Sequence, residues 1–215
     1  LVTYLSSAPG YLQHTVHFLE NHDEERIANV LPKHQAEAAA VFLASMPGMR
    51  FYHQGQWEGR QTKIPVQLGR EPEESSCTCL LIQNNDIEKS IKPQLLKKGY
   101  FRPRCHCNFE KYDSLLRIFS HPVFKKGQWK KAFLNKNVDT GLYSIIWSLA
   151  ETHYLIIINY ASHSIETDFS TTELGVPNHQ LNLILNTGMI SINDDLIQLK
   201  LQAFEYCVLE FKSGN

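Results

Sequence analysis

Apolar and polar positions change period partway along the chain, and that change divides it in two. Residues 14–19 (HTVHFL) alternate and then close on apolar side chains, the pattern of a short, mostly buried strand. A polar cluster follows from Glu20 to Arg26. Over residues 34–46 (HQAEAAAVFLASM) alanines and apolar side chains at helical spacing predict a helix. Pro47-Gly48 ends it, the glycine being suited to a left-handed C-cap. Residues 49–53 (MRFYH) form a second short strand that closes at Gln54-Gly55-Gln56. Strand, polar loop, helix, turn and strand make a βαβ unit, whose two strands are expected to be parallel neighbours. Residues 112–119 (YDSLLRIF) give one more amphipathic helix, which His121-Pro122 ends or kinks.

Beyond that helix the chain reads as strands only. Residues 141–149, 154–160, 164–169, 181–185 and 197–211 are β-branched or alternating, and Asn, Ser, Thr, Gly and Pro clusters separate them. The expectation is an antiparallel sandwich or barrel. The boundary falls near residues 127–136, where basic and polar residues intervene. The chain is thus α/β over residues 1–130 and all-β over residues 131–215. The stretch 75–108 fits neither pattern, carrying Cys77-Thr78-Cys79 and Cys105-His106-Cys107. It is long for a βα connection, which usually takes about 2–6 residues. No internal repeat is visible.

Bulk composition narrows the classes of partner. The formal net charge of −1 gives no long-range field to attract nucleic acid or an anionic membrane. No apolar run approaches the roughly 20 residues of a membrane-spanning helix, and no charged-then-apolar leader is present. The first methionine is Met46, inside a patterned segment, so the sequence is expected to be processed, excised or incomplete. Localisation is unknown on these grounds.

Two strings carry the chemistry. The first is His17-Phe18-Leu19-Glu20-Asn21-His22-Asp23-Glu24-Glu25-Arg26, and the second is Pro47-Gly48-Met49-Arg50-Phe51-Tyr52-His53-Gln54-Gly55-Gln56. The first resembles the fourth conserved region of the α-amylase family (glycoside hydrolase family 13), where an Asn-His-Asp triplet closes the seventh barrel strand. The second is similar to that family's eighth strand and its Gly-Gln turn. One helix lies between them, as in that family, and a β-domain follows. The resemblance implies the C-terminal portion of a (β/α)8 TIM barrel, its last two βα units, followed by an antiparallel β-sandwich domain. Residues 64–72 resemble the same part of some bacterial members, a region that positions the following helix.

The resemblance also implies a chemistry. Retaining glycosidases use a nucleophile carboxylate and an acid/base carboxylate about 5–5.5 Å apart, with an oxocarbenium-like transition state that a fixed negative charge stabilises. In the family the triplet's aspartate supplies that charge. By matching position it is Asp23, with His22 and Asn21 beside it at the sugar hydroxyls, where the active sites of such barrels lie. The implied partner is an α-linked glucan or oligosaccharide, with no cofactor and no metal site. The family's nucleophile Asp and acid Glu both precede the triplet strand, yet here only residues 1–13 do, and they contain no carboxylate. The expectation is a fragment of a hydrolase or glucosyltransferase that is inactive alone. A non-catalytic amylase-like module, keeping the scaffold for sugar binding or a partner, is the alternative. Two strands of eight cannot close a barrel, so their exposed edges are expected sites of association.

Several residues admit two readings. Arg26 either helps hold Asp23 ionised or forms a structural ion pair. Glu20, Glu24 and Glu25 read as acids near a helix start or as solvated loop charges. Gln56 and Trp57 suit hydrogen bonding and stacking to a sugar ring, although Trp57 is equally consistent with packing under its loop. Asn21 or Asp23 is also a natural cap. The Cys-x-Cys and Cys-His-Cys strings offer thiolates to zinc, but their spacing is not the usual Cys-x-x-Cys. An insertion foreign to the fold accounts for them better.

Overall fold

The computed structural model describes residues 9–64, 108–132, 134, 141–176 and 179–213. The cysteine-bearing stretch therefore lies outside the described residues, except for its last position. The described chain is mostly β-sheet with few helices. It divides into two compact units that interleave in sequence, one of residues 1–17, 37–50 and 115–215, the other of residues 18–36 and 51–114.

The first unit opens on a short helix, α1 (Pro9–Leu12), and a strand, β1 (Val16–His17). β1 pairs in parallel with β2 (Met49–Arg50), Val16 opposite Met49 and His17 opposite Arg50, as the βαβ pattern requires. The connecting helix runs Lys33–Ser45, one residue from each expected end; the short helices Pro9–Leu12, Ile27–Val30 and Val123–Lys126 were not expected. Past its exposed first turn, Ala38, Ala39, Ala40, Val41, Leu43 and Ala44 are buried and go round the axis, which marks a helix largely enclosed by protein rather than one with a wet face. Gly48 ends the connection with φ +92°, and a Cβ there would lie 2.4 Å from the Leu12 carbonyl oxygen and 2.7 Å from that of Thr15. Both the dihedral and the space require glycine.

The strands after residue 128 build two antiparallel sheets. β3 (Gln128–Lys131), β4 (Leu142–Leu149), β5 (Thr152–Asn159), β10 (Tyr206–Ser213) and β7 (His179–Asn186) lie in that order in one. β6 (Ile165–Ser170), β9 (Leu196–Leu201) and β8 (Met189–Asn193) form the other. Alternation fixes which side chains go inward. Ile146, Leu155, Ile157, Leu209 and Phe211 from the five-stranded sheet join Phe169, Ile197, Leu199 and Leu201 from the three-stranded one in a single core. Cys207 sits in that core, and burial pushes its thiol up to about 12, so it packs as a small apolar residue.

The opposite face of the five-stranded sheet is also covered. Trp147 Nε1 donates to the Ser45 carbonyl at 2.9 Å, and the ring of Phe42 meets that of Tyr143 edge-on at 4.6 Å. The C-terminal half of the Lys33–Ser45 helix is thereby tied to β4. A short helix at Val123–Lys126 lays Phe124 against Trp147 and Tyr154, with ring centroids 5.8 and 4.9 Å apart. It follows the helix Phe109–Phe119, which stops before His121-Pro122 as expected.

Three strand expectations need correction. Residues 197–211 are two strands in different sheets, not one, because the chain turns at 202–205 with Phe204 at φ +63°. No glycine or proline marks that turn, so the alternation reads straight through it. β8 was not expected: it is five residues long, and only Ile190 packs against the core, while Met189 and Ile192 stay exposed. β3 occupies the stretch expected to be a linker; its Trp129 directly opposes Trp147 of β4 in the ladder.

Asn159 joins the ends of these strands. Its buried side-chain amide donates to the carbonyls of His163 (2.7 Å), Leu201 (3.1 Å) and Gln202 (3.0 Å), while its Oδ1 accepts from the Ala161 N–H at 2.8 Å. Asn159→Ala would remove the side-chain donor that three strand-end carbonyls share, and the bond to Leu201 is buried. A buried group left unsatisfied costs about 1–3 kcal/mol, so a loss of that order is expected in urea unfolding, and a loss below about 0.5 kcal/mol would refute the hub role.

Glu210 gives a pH test. Burial opposes its charge, but hydrogen bonds from Tyr154, Asn182 and Lys212, with the Lys212 charge, outweigh that and hold its carboxyl below the usual 4.5. A depressed carboxyl stabilises the fold above its unfolded value and loses that contribution as pH falls through the folded one. Glu210→Gln is expected to lower the melting temperature at pH 7, with the gap to wild type closing once pH drops well below 4.5. A gap that stays undiminished throughout the acid range would show that the charge is not responsible.

Candidate functional site

The second unit holds the polar loop that follows β1. Glu20 and Arg26, at the two ends of this loop, are 0% and 1% exposed, although both are ionisable. A buried charge of either sign is tolerable only when paired and hydrogen-bonded. Here Arg26 Nη1 donates to Glu20 Oε1 at 2.7 Å, and Glu20 Oε2 accepts the Ile27 backbone N–H, also at 2.7 Å. Ile27 begins the short helix Ile27–Val30, so the carboxylate also meets a helix start. Both oxygens of Glu20 thus grip the far end of the loop.

Arg26 reaches onward to the loop after β2. Nη1 lies 2.8 Å from His53 Nδ1 and donates to the Gln54 carbonyl at 2.7 Å, while Nε donates to the Thr62 carbonyl at 3.3 Å. Of the two readings of Arg26, the structural ion pair is the one observed, and its partner is Glu20. The solvated-charge reading of Glu20 is overturned by its burial, whereas Glu24 and Glu25 are exposed. Sequence reasoning missed this pair and His53 with it. The only available signal was an acid and an arginine six residues apart, which does not distinguish a buried partner from a wet one.

Between the clamped ends the loop is open. Asn21 Oδ1 accepts the N–H groups of Asp23 (2.8 Å) and Glu24 (2.9 Å), so Asn21 caps the bend of the loop rather than a helix. The Lys63 ammonium donates to the Asp23 carbonyl oxygen. His22 Nε2 and Asp23 Oδ2 are 3.2 Å apart, with side chains 64% and 70% exposed. An imidazole and a carboxylate are therefore presented together to solvent on a loop whose ends are fixed.

Gln56 and Trp57 are placed differently. Gln56 is 1% exposed, its Nε2 donating to the Tyr112 hydroxyl at 2.8 Å and its Oε1 accepting the His53 N–H at 3.3 Å. Trp57 stacks on Tyr112 with rings 5.9 Å apart and 3° from parallel, and Tyr52 meets both edge-on. One face of the indole is thus taken by protein, and the ring is half-buried. Gly55 turns this loop at φ +93° and lies against the Arg60 side chain, where a Cβ would approach within 2.4 Å.

Among the described residues, no group of three or more His, Cys, Asp or Glu is arranged to hold a metal ion. None of the described helices is long and apolar enough to cross a membrane.

The buried pair has a measurable signature. Glu20→Gln leaves Arg26 charged and uncompensated inside the protein, which is expected to cost about 3–5 kcal/mol. Replacing both members, Glu20→Leu with Arg26→Met, is expected to recover most of that loss in chemical denaturation. A single substitution costing under about 1 kcal/mol would mean the pair is not closed to water.

No family model matches the sequence, and no curated protein does. Solved structures do. An α-amylase from Anoxybacillus superposes with a TM-score of 0.61 at 14% identity, over 97% of this chain and 40% of its own. An α-amylase from H. orenii gives 0.61 at 18% identity, over 93% and 40%. An isomaltulose synthase from Erwinia rhapontici, solved with D-glucose, gives 0.58 at 15% identity, over 98% and 45%. The chain spans less than half the length of each. It therefore has the fold of a part of the α-amylases and their relatives.

Proposed function

We propose that this chain is the C-terminal part of a retaining α-glucan-acting hydrolase or glucosyltransferase of the α-amylase family, and that Asp23 is its transition-state-stabilising carboxylate. The observation that carries the reading is the loop itself. Asp23 and His22 are presented to solvent side by side, on a bend held by Asn21 and closed at both ends by the buried Glu20–Arg26 pair. Electrostatic catalysis needs a charge that is fixed before the reaction and does not have to reorganise. A carboxylate on a loop so restrained meets that need, and an imidazole 3.2 Å away suits a sugar hydroxyl.

In this reading residues 1–130 are the last two βα units of a (β/α)8 barrel, with residues 75–108 as an atypical insertion. Residues 131–215 are the antiparallel β-sandwich that follows it. The parallel β1–β2 pair joined through a buried helix supports the first, and the single core shared by two antiparallel sheets supports the second. Gln56 and Trp57 act from the layer beneath the sugar site, since their partners are Tyr112, His53 and Tyr52. The ligand is an α-linked glucan or oligosaccharide; several fold relatives are named for acting on such sugars, and two were solved with acarbose.

Residues 1–13, ahead of the loop's strand, contain no Asp or Glu to act as nucleophile or acid/base. One carboxylate of three cannot carry out double displacement. The purified chain is expected to release no reducing sugar from soluble starch, yet to bind maltotriose weakly. Asp23→Ala is expected to reduce that binding about tenfold or more, the scale of a hydrogen bond to a charged group. Turnover abolished by Asp23→Asn would sink the inactive-alone statement. Maltotriose binding that Asp23→Ala leaves unchanged would favour a sugar-binding module that uses another surface.

A further inference from the structure

The described residues offer few places outside the loop where chemistry could gather. A shallow concavity of about 500 Å³ on the three-stranded sheet is lined by Glu166, Thr167, Asp168, Gln198 and Lys200, but Lys200, its cation, is already paired with Glu166. The group that stands out is His53. It is one of the few ionisable side chains in the second unit that is neither plainly structural nor plainly solvated, and it touches the buried ion pair directly.

Its hydrogen-bonding role is decided by its neighbour. Arg26 Nη1 lies 2.8 Å from His53 Nδ1, and a guanidinium has donors but no acceptor. Nδ1 must therefore carry the lone pair, and the ring proton sits on Nε2. The two N–H groups of Nη1 serve three acceptors within 2.8 Å, namely Glu20 Oε1, His53 Nδ1 and the Gln54 carbonyl, so one of them is shared. Protonating His53 would turn Nδ1 into a second donor facing a cation at hydrogen-bond distance, with Glu20 Oε1 farther away at 3.7 Å.

The environment acts in the same direction. Burial, then the Arg26 charge, lowers the affinity of His53 for a proton; Glu20 works against them, and His22 adds to them. Arg26, Glu20 and His22 are the charged or titratable groups that act on the ring among the described residues. The His53 side chain nevertheless keeps 23% of its surface open. Phe51 lies beside it, with ring centroids 6.2 Å apart.

We infer that Arg26 is a positioning residue that locks His53 as the Nε2–H tautomer, making His53 a hydrogen-bond donor to the sugar hydroxyls beside His22. The donor role rests on the sugar-site reading given above; the tautomer does not. A neutral donor of fixed tautomer suits a hydroxyl ligand, because it recognises oxygen without setting a second positive charge against an oxocarbenium-like transition state.

The test is imidazole nitrogen–proton correlation NMR on the full chain, with and without maltotriose. Free of sugar, His53 is expected as the Nε2–H tautomer, titrating below the ordinary 6.5. Arg26→Gln is expected to mix the tautomers and move the titration up toward 6.5. If that variant does not fold, His53→Asn keeps an acceptor near Nδ1 for Arg26 and removes the distal donor. That variant is expected to fold normally and to lose several-fold in maltotriose affinity. With sugar, His53 and His22 are expected to shift along one binding curve. An Nδ1–H tautomer or an ordinary titration would overturn the lock. A response of His22 without His53 would overturn the donor role while leaving the sugar site standing. A response of neither would overturn both the donor role and the sugar-site reading.

Discussion

A guanidinium removed from water must find protein acceptors for its donors, and that requirement at Arg26 organises the second unit. Its partners come from three places in the chain: Glu20 at the start of its own loop, His53 and Gln54 after the second strand, and Thr62 further on. None of these bonds can be lost cheaply. An exposed ion pair contributes little, but breaking a buried one strands a charge in a medium that solvates it poorly. The two polar loops are held to one another because a single cation needs both.

Environment then gives neighbouring acids opposite duties. Glu20 and Asp23 are three residues apart, and both are carboxylates. Glu20 is enclosed, with each oxygen bonded to protein, and serves as a fastener. Asp23 has its backbone held by Asn21 and Lys63, while its side chain is left to solvent and His22. A stiff frame around an open carboxylate is what electrostatic stabilisation of a developing cation calls for. The same frame accounts for His53, whose affinity for a proton is lowered by burial and then by the cation beside it.

In the first unit the corresponding demand comes from the backbone at strand ends. Two sheets share one core, so the chain must leave one sheet and enter the other, and each crossing exposes carbonyls that have left the ladder. Asn159 meets this for two crossings at once, bonding His163 on one side and Leu201 and Gln202 on the other. Its backbone joins in: its N–H donates to Glu205, and its carbonyl accepts from Phe204 at the turn between β9 and β10.

Periodicity alone determined much of this protein. The alanine-rich helix, the glycine after it, the parallel pair it joins and the switch to antiparallel strands are all local patterns, and local patterns survive into the fold because burial rewards them residue by residue. The Asn-His-Asp string was equally legible, since its residue types and order are written in the chain. What periodicity could not decide was anything that depends on the surroundings the fold assembles. The turn at Phe204 carries no glycine or proline, and its conformation is upheld by Asn159, some forty-five residues earlier. Glu20 looks like any loop acid until Arg26 and the enclosing chain remove its water, and His53 has no fixed tautomer until Arg26 faces it. Charge state, burial and hydrogen-bond direction are properties of an assembled neighbourhood, so only the tertiary structure could assign them.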